Sequence, residues 1–421
     1  MKESRIMRES KTLEFKETLP NTFLKTVSAY ANYGTGQIVF GVNDEGKAVG
    51  VSDVAGTLLA IENKVNDSIT PVPEFTLETN DKTGTITLTV KEGLHKPYLY
   101  KSKAYRRADT ATVEVDRLEL SRLVLQGQNL SFEDTDARME DLSFARLENA
   151  LKAKAGVSKV TNDVLRTLEL MRPDGTFNIA GELLSDENTF PGIDAVRFGD
   201  SISIFLDRKT FEHESLLAQF DDALEMYRTY YQFEEVTGST RVLREVIPES
   251  AFKEAVANAL VHRQWDIPAH IRVSMFADKI EIASPGGLPH GLSKEEYLEG
   301  QVSVLRNPII GGVFFRLRLI ERFGTGVLRI REAYKESQRQ PQFEVFGESI
   351  RIVLPAVQPK LPLSPDAAAV IRAITGKRMA ISEIAAATGF GKTKTQKLLQ
   401  SLVADGYARI EGNGRGTRYT A

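Results

Sequence analysis

An α+β fold spread over several domains follows from three features of the 421-residue sequence. The length is about three times the roughly 150-residue prior for one domain. Helix-periodic and strand-like segments alternate through most of it, and prolines at 355, 359, 362 and 365 mark a linker before a last, basic module. Apolar residues at 42% and charged residues at 26% are an ordinary globular mixture, which excludes collagen-like, mucin-like and wholly disordered chains. With 54 Lys+Arg against 57 Asp+Glu the net charge is −3, so any grip on nucleic acid must come from a local basic patch. The absence of cysteine excludes disulfides, thiolate zinc sites and cysteine nucleophiles. No run of 18 apolar residues occurs and the first ten residues carry no apolar h-region, so the expectation is a cytoplasmic protein without a membrane partner.

In residues 1–128, Phe23 to Asn32 has helical spacing, Gln37 to Val42 is a β-rich apolar run, and Thr85 to Val90 alternates at period two. Ser131 to Asp141 holds five acids and one arginine and reads as a linker or boundary helix. Residues 129–247 read as this linker and a mainly helical region, with one strand over Phe198 to Phe205. The block 248–356 predicts a helix from Ser250 to Val261, strands at Ile271 to Phe276 and Lys279 to Ala283, a glycine-rich turn, and helices at Ile309 to Phe315 and Val327 to Tyr334. Residues 357–365 are the linker, and 366–421 the final module. No repeat period is evident.

From Ser364 to Ala421 nine Lys/Arg face four Asp/Glu, a local net of +5. Ser382 to Thr388 predicts a short helix with Ser382 as N-cap, Gly389 to Gly391 a turn, and Lys392 to Asp405 a second helix with Leu398, Leu399, Leu402 and Val403 on its apolar side. The first turns of that helix carry Lys392, Thr393, Lys394, Thr395, Gln396 and Lys397, and a terminal hairpin follows with Arg415 and Arg418 near its tip. This module resembles a winged helix-turn-helix domain. The resemblance implies a DNA partner, with polar and basic side chains at the start of the second helix entering the major groove and a basic wing on phosphates. Winged helices also mediate protein contacts, and that alternative stays open.

Glu9 to Lys16 (ESKTLEFK), Val27 to Gly36 (VSAYANYGTG), Ile38 to Gly50 (IVFGVNDEGKAVG), and the later Lys96 to Tyr98 and Tyr105 to Asp109 resemble the Schlafen-type domain, also called the divergent AAA-4 domain. The resemblance covers roughly residues 8 to 125 and implies a nucleic-acid-associated α/β fold. Leu94 to Ala108 holds Lys96, Lys101, Lys103, Arg106 and Arg107 with no acid, and Tyr98, Tyr100 and Tyr105 are interleaved. Cations neutralise phosphates and rings offer stacking faces, a combination suited to single strands. The alternative is a strand pair with solvated lysines and core tyrosines. The resemblance further implies a metal-dependent ribonuclease reading, in which Glu9, Glu14 and Asp44 hold Mg²⁺ or Mn²⁺ and activate water. Against it, Glu14 belongs to the general signature of the domain and Asp44 sits in a turn, where Asp is common for local reasons.

In the third block Glu254, Asn258 and His262 fall on one helix face at i, i+4 and i+8. Ser284 to Pro289 (SPGGLP), Arg306 to Pro308, and Gly324-Thr325-Gly326 before a helix follow in order. This order resembles the ATP-binding superfamily of gyrases, heat-shock chaperones, histidine kinases and mismatch-repair ATPases. More closely, it resembles the divergent ATPase-like domain found behind a Schlafen-type domain in bacterial transcriptional regulators. The resemblance implies an α/β sandwich with ATP and Mg²⁺ as cofactors. By it Glu254 is the general base, Asn258 the oxygen ligand to the metal, and Gly286, Gly287, Gly324, Thr325 and Gly326 approach the phosphates. Ser284 occupies the place where the superfamily has an Asp that reads the adenine amino group. A lone His262 reads as a helix-end hydrogen-bonding residue, and Trp265 as packing at the helix end. No P-loop and no G-x-S-x-G elbow is present.

The expected function is therefore an ATP-responsive, DNA-binding transcriptional regulator acting as a homodimer. The Schlafen-type nuclease is the rival reading, and a scaffold with silent sites is a third.

Overall fold

The computed structural model describes residues 8–237, 240–289, 291–300, 304–321, 324–357, 364–404, 407–412 and 417–421. The chain divides into two compact units, one ending at Phe132 and the other beginning at Glu133.

The first unit runs β1 (Leu13–Lys16), α1 (Phe23–Tyr33), β2 (Gly36–Phe40), α2 (Val54–Ser68), β3 (Ile69–Thr70), β4 (Phe75–Asn80), β5 (Thr85–Val90), β6 (Leu99–Tyr100), β7 (Tyr105–Ala108), β8 (Ala111–Glu114) and α3 (Arg117–Gly127). Its main sheet has the order β1-β2-β5-β4, parallel between β1 and β2 and antiparallel elsewhere. Helix α1 is buried along nearly its whole length, because Phe23, Val27, Tyr30 and Ala31 meet Ile38, Phe40, Ile86 and Leu88 of the sheet in one apolar core. The helix also carries a polar clamp. Asn32 is fully buried, its Oδ1 accepts from Tyr98 N–H at 2.8 Å, and its Nδ2 donates to Tyr98 O at 2.9 Å. One amide thus satisfies both backbone groups of a residue outside any strand.

The second unit continues with α4 (Ala145–Ala155), α5 (Asn162–Thr167), α6 (Ile179–Leu184), β9 (Ile193–Phe198), β10 (Phe205–Phe211), α7 (Leu216–Tyr231), β11 (Gln232–Thr237), β12 (Thr240–Glu245) and α8 (Glu249–His262). Then come β13 (Ile271–Met275), β14 (Lys279–Pro285), α9 (Lys294–Glu299), α10 (Pro308–Arg316), α11 (Gly326–Ala333), β15 (Gln342–Val345) and β16 (Ser349–Pro355). A six-stranded sheet has the order β10-β9-β13-β14-β16-β15, with only β9 and β13 parallel. The strand expected over Phe198 to Phe205 is instead the turn between two strands. Gly199 N–H bonds Ile204 O at 2.9 Å, which reverses the chain and sends β9 and β10 into the same sheet as β13. The region read as mainly helical therefore supplies a third of that sheet's strands.

The acidic stretch after Ser131 also differs from a solvated linker. Glu133 is fully buried, and its two carboxylate oxygens accept from the N–H groups of Ile309 at 2.5 Å and Ile310 at 2.9 Å. These are the first free donors of α10, so the carboxylate meets both a hydrogen-bonding need and the positive end of the helix.

The chain closes with α12 (Pro365–Ile374), α13 (Ile381–Thr388), α14 (Lys392–Ala404), β17 (Arg409–Glu411) and β18 (Arg418–Thr420). Val370, Ile374, Ile384, Leu399, Leu402 and Tyr419 form a separate small core. Ser382 is the second residue of α13 rather than its cap. The helix begins at Ile381, and Ala380 N–H donates to Glu383 at 2.6 Å. Pro355 ends β16 and Pro365 opens α12, so the outer two linker prolines belong to regular elements.

Replacing Glu133 with Ala leaves two helix donors unmet in a dry site. We expect a loss of roughly 2 to 4 kcal/mol in urea unfolding of the second unit, and an unchanged midpoint would contradict the capping role.

Candidate nucleotide pocket and nucleic-acid surfaces

Helix α8 presents Glu254, Asn258 and His262 to a pocket whose other walls come from Ser284, Gly286 and Gly287 at the end of β14 and Gly324 and Gly326 at the start of α11. Ile282, Ile350 and Ile352 from the sheet supply an apolar side. Thr325 is not in the wall; it sits at the N-cap position of α11 and its carbonyl accepts from Arg329 N–H at 2.8 Å.

Asn258 Nδ2 donates to Glu254 Oε1 at 3.2 Å, which orients the amide and leaves Asn258 Oδ1 without a partner among the described residues. Burial raises the Glu254 carboxyl above the ordinary range, Glu321 adds to the rise, and Arg329, Asn258 and Lys253 pull it back. His262 is pushed down to about 4 by burial and by the Arg306 guanidinium, so it is neutral at physiological pH.

Ser284 donates its hydroxyl proton to Ala259 O at 3.0 Å, so toward the pocket it can act only as an acceptor. Gly286 has φ of 100°, and a Cβ at Gly287 would sit 2.2 Å from Gly347 O. Both glycines thus allow the turn to lie against Gln264 and the β15–β16 connection. The Gly286 N–H is spent on Glu348 O at 2.9 Å, so it is not the free phosphate donor that the glycine pattern suggested.

The role of Arg306 is not legible from the Arg306 to Pro308 motif alone. In the structure it braces the pocket floor, donating to His262 O at 3.1 Å, Gln264 Oε1 at 3.0 Å and Gly287 O at 2.6 Å. Asn307 closes the end of α8 through Val261 O at 2.7 Å and Arg263 O at 2.8 Å. Trp265 is buried edge-on to Phe190 at 6.0 Å, a packing residue.

In α14 the residues Lys392, Thr393, Lys394, Gln396 and Lys397 are all exposed, while Thr395 between them is buried and donates to Gly391 O at 3.2 Å. Lys394 is tied to Asp366 at 2.7 Å and lies over the Phe390 ring at 4.2 Å, which leaves Lys392 and Lys397 as the cations without an ion pair among the described residues. Arg418 lies in β18 and donates to Thr417 O at 3.1 Å. Arg415 lies outside the described residues.

The basic segment of the first unit is largely neutralised. Lys96 pairs with Glu92 at 2.6 Å, Lys103 with Glu114 at 2.8 Å, and Arg106 with Glu119 at 3.1 Å. Arg107 is buried on Glu14 at 2.9 Å and is a core residue rather than a surface cation. Tyr98, Tyr100 and Tyr105 are buried as well, so none offers a free stacking face, and among the described residues exposed Lys101, over the Tyr100 ring at 5.4 Å, is the one cation of the segment without an ion pair.

The three carboxylates do not form a cluster: among the described residues no three His, Cys, Asp or Glu come together as a metal site. Glu14 is held by Lys16 at 2.5 Å and Arg107, Glu9 accepts from Phe15 N–H at 2.8 Å, and Asp44 is exposed in a turn.

Three family descriptions match successive parts of the chain. Residues 9–116 match "Schlafen, AlbA_2", residues 269–354 match "Putative ATP-dependent DNA helicase recG C-terminal", and residues 367–412 match "IclR helix-turn-helix domain". The matches describe a fusion of a Schlafen/AlbA_2 domain, an ATPase-like domain and a helix-turn-helix domain, and the first and last support nucleic-acid binding. The second match begins after α8, so Glu254, Asn258 and His262 are joined to the pocket by the structure alone. A comparison with curated proteins returned no match. Among solved structures the chain is similar to the DIP2311 protein from Corynebacterium diphtheriae, with 21% identity, 98% of this chain and 92% of that one covered, and a TM-score of 0.49. Among the described residues no helix is long and apolar enough to cross a membrane.

His262 yields a pH prediction. Its folded pKa of about 4 lies below the ordinary 6.5, so protons favour the unfolded chain, and stability present above pH 6.5 is lost as pH falls toward 4. The loss is at most about 3 kcal/mol, and less because the ring keeps an edge on the pocket that water can reach. Urea unfolding at pH 7 and pH 5 should show a smaller difference for His262→Gln than for the natural chain; equal differences would contradict it.

Proposed function

We propose that the chain is an ATP-responsive transcriptional regulator that acts in the cytoplasm as a homodimer. The winged helix contacts DNA, and the Schlafen/AlbA_2 domain adds a second nucleic-acid contact. The observation that carries the nucleotide part is the convergence of Glu254 and Asn258 of α8, Ser284 of β14 and Gly326 of α11, from three separate places in the sequence, on one largely apolar pocket.

The residues present fit ATP with Mg²⁺. Asn258 Oδ1 is an unengaged hard oxygen suited to the metal. Ser284, with its proton committed to Ala259, accepts from an exocyclic amino group as the superfamily's Asp does, but without a charge. The isoleucines take the flat face of a base. Glu254, a pocket carboxylate whose pKa burial raises, is the group suited to take a proton from water. When bound, the nucleotide supplies a phosphate charge and a hydrolysable anhydride. It regulates only if the chain's two arrangements bind it with different affinity.

On DNA, exposed Lys392 and Lys397 at the start of α14 supply phosphate or groove contacts. Fluorescence anisotropy of the full chain on a duplex bearing its site tests both parts. Lys392→Ala and Lys397→Ala should each weaken binding and lower the salt slope by about 1. Mg²⁺ with ATP should shift the affinity of the natural chain and leave Asn258→Ala unmoved. Unchanged DNA binding in the double lysine variant would sink the groove assignment, and an affinity indifferent to nucleotide would sink the regulatory one.

A further inference from the structure

Strand β10 is the outer strand of the six-stranded sheet, and among the described residues it pairs with β9 alone. Where β10 begins, four large apolar side chains stand in solvent: Ile202 at 71% exposure, Ile204 at 47%, Phe205 at 57% and Leu206 at 62%. Phe205 lies 5.3 Å from Phe198, which stacks on Phe276 at 5.1 Å, so an aromatic row runs inward from this edge across β9. Scattered exposed apolar residues are normal, but a contiguous aliphatic and aromatic patch marks an interaction site, and an open strand edge is a template for another strand.

The sequence of β10 says which strand. Two copies laid antiparallel with Arg208 on the two-fold axis place Asp207 of each opposite Lys209 of the other, and bring Phe205 of each near Phe211 of the other. Opposite charges facing across an antiparallel pair stabilise it. Arg208 would meet its own copy, but its guanidinium is already held by both oxygens of Asp194 at 3.0 and 2.9 Å, which removes the like-charge conflict. Lys209 has no ion pair among the described residues, and Asp207 accepts from the Tyr230 hydroxyl at 2.9 Å through Oδ2, which leaves its Oδ1 for the partner lysine. A slip of one residue sets Asp207 against this committed arginine in one direction and against Thr210 in the other, and either loses the aromatic approach. The register irregularity between Phe205 and Asp207 frees Leu206 from the ladder to pack outward. The contact is isologous, so it closes at two copies.

We propose that β10 is a homodimerisation edge, paired through Asp207 to Lys209 and sealed by Ile204, Phe205 and Leu206. This surface depends on neither the DNA nor the nucleotide reading.

Light scattering on the full chain at about 20 µM, a concentration that a micromolar contact occupies, should give twice the 46.8 kDa chain mass. Ile204→Asp with Leu206→Asp should return the single-chain mass with the circular dichroism spectrum retained. Lys209→Asp alone should weaken the dimer about 10-fold, and adding Asp207→Lys should recover it, since the exchanged charges still match. Because the chain has no cysteine, Arg208→Cys should give a covalent dimer on mild oxidation, whereas Arg241→Cys on β12 should not. A single-chain mass for the natural protein, a dimer that survives the double aspartate substitution, or no crosslink at 208 would overturn the proposal. So would loss of RNA or DNA binding in the double aspartate variant without any change in mass, which would give the aromatic row to nucleic acid.

Discussion

A Cβ at Gly326 would lie 2.6 Å from Asn258 Nδ2 and 2.8 Å from Glu254 Oε1, so the first turn of α11 can rest on the polar face of α8 only because that position has no side chain. Much of the second unit's chemistry rests on this approach. It helps bury Glu254, whose pKa burial raises, and lays Gly326 against the amide and carboxylate that helix spacing has already joined at i and i+4. Arg306 and Asn307 hold the far end of α8 against the Gly286-Gly287 turn, so the polar wall is fixed at both ends.

The first unit follows a different rule. Its signature residues serve the fold: Glu14 neutralises Arg107 in the interior, and Asn32 satisfies the Tyr98 backbone. A buried carboxylate held by two cations has little left to offer a metal, and removing one partner leaves an unpaired charge inside the protein. The nucleic-acid association of this unit therefore rests on its family match, with the paired cations of residues 96–107 contributing little free charge.

Much of this was legible in the sequence, where local chemistry decides. The spacing of Glu254, Asn258 and His262 placed them on one helix face, and the basic start of α14 stood out against a chain of net charge −3. What was not legible depends on partners far along the chain. Glu133 looks like solvated charge until α10 arrives 176 residues later to be capped. Arg107 looks like surface charge because its acid is 93 residues away. Phe198 to Phe205 is apolar enough to read as one strand, since a hairpin with exposed Ile202 and Ile204 breaks the rule that apolar runs are buried. Gly286 carried the right residue type for a phosphate loop, but its N–H had already found Glu348.

Isothermal titration of Mg²⁺ with ATP into the full chain tests the account most directly. The natural protein should bind one nucleotide per chain, and Gly326→Val should lose that binding while keeping its circular dichroism spectrum, because the valine side chain forces α11 off Asn258 and Glu254. No binding by the natural chain, or equal binding by Gly326→Val, would contradict a pocket built on that contact.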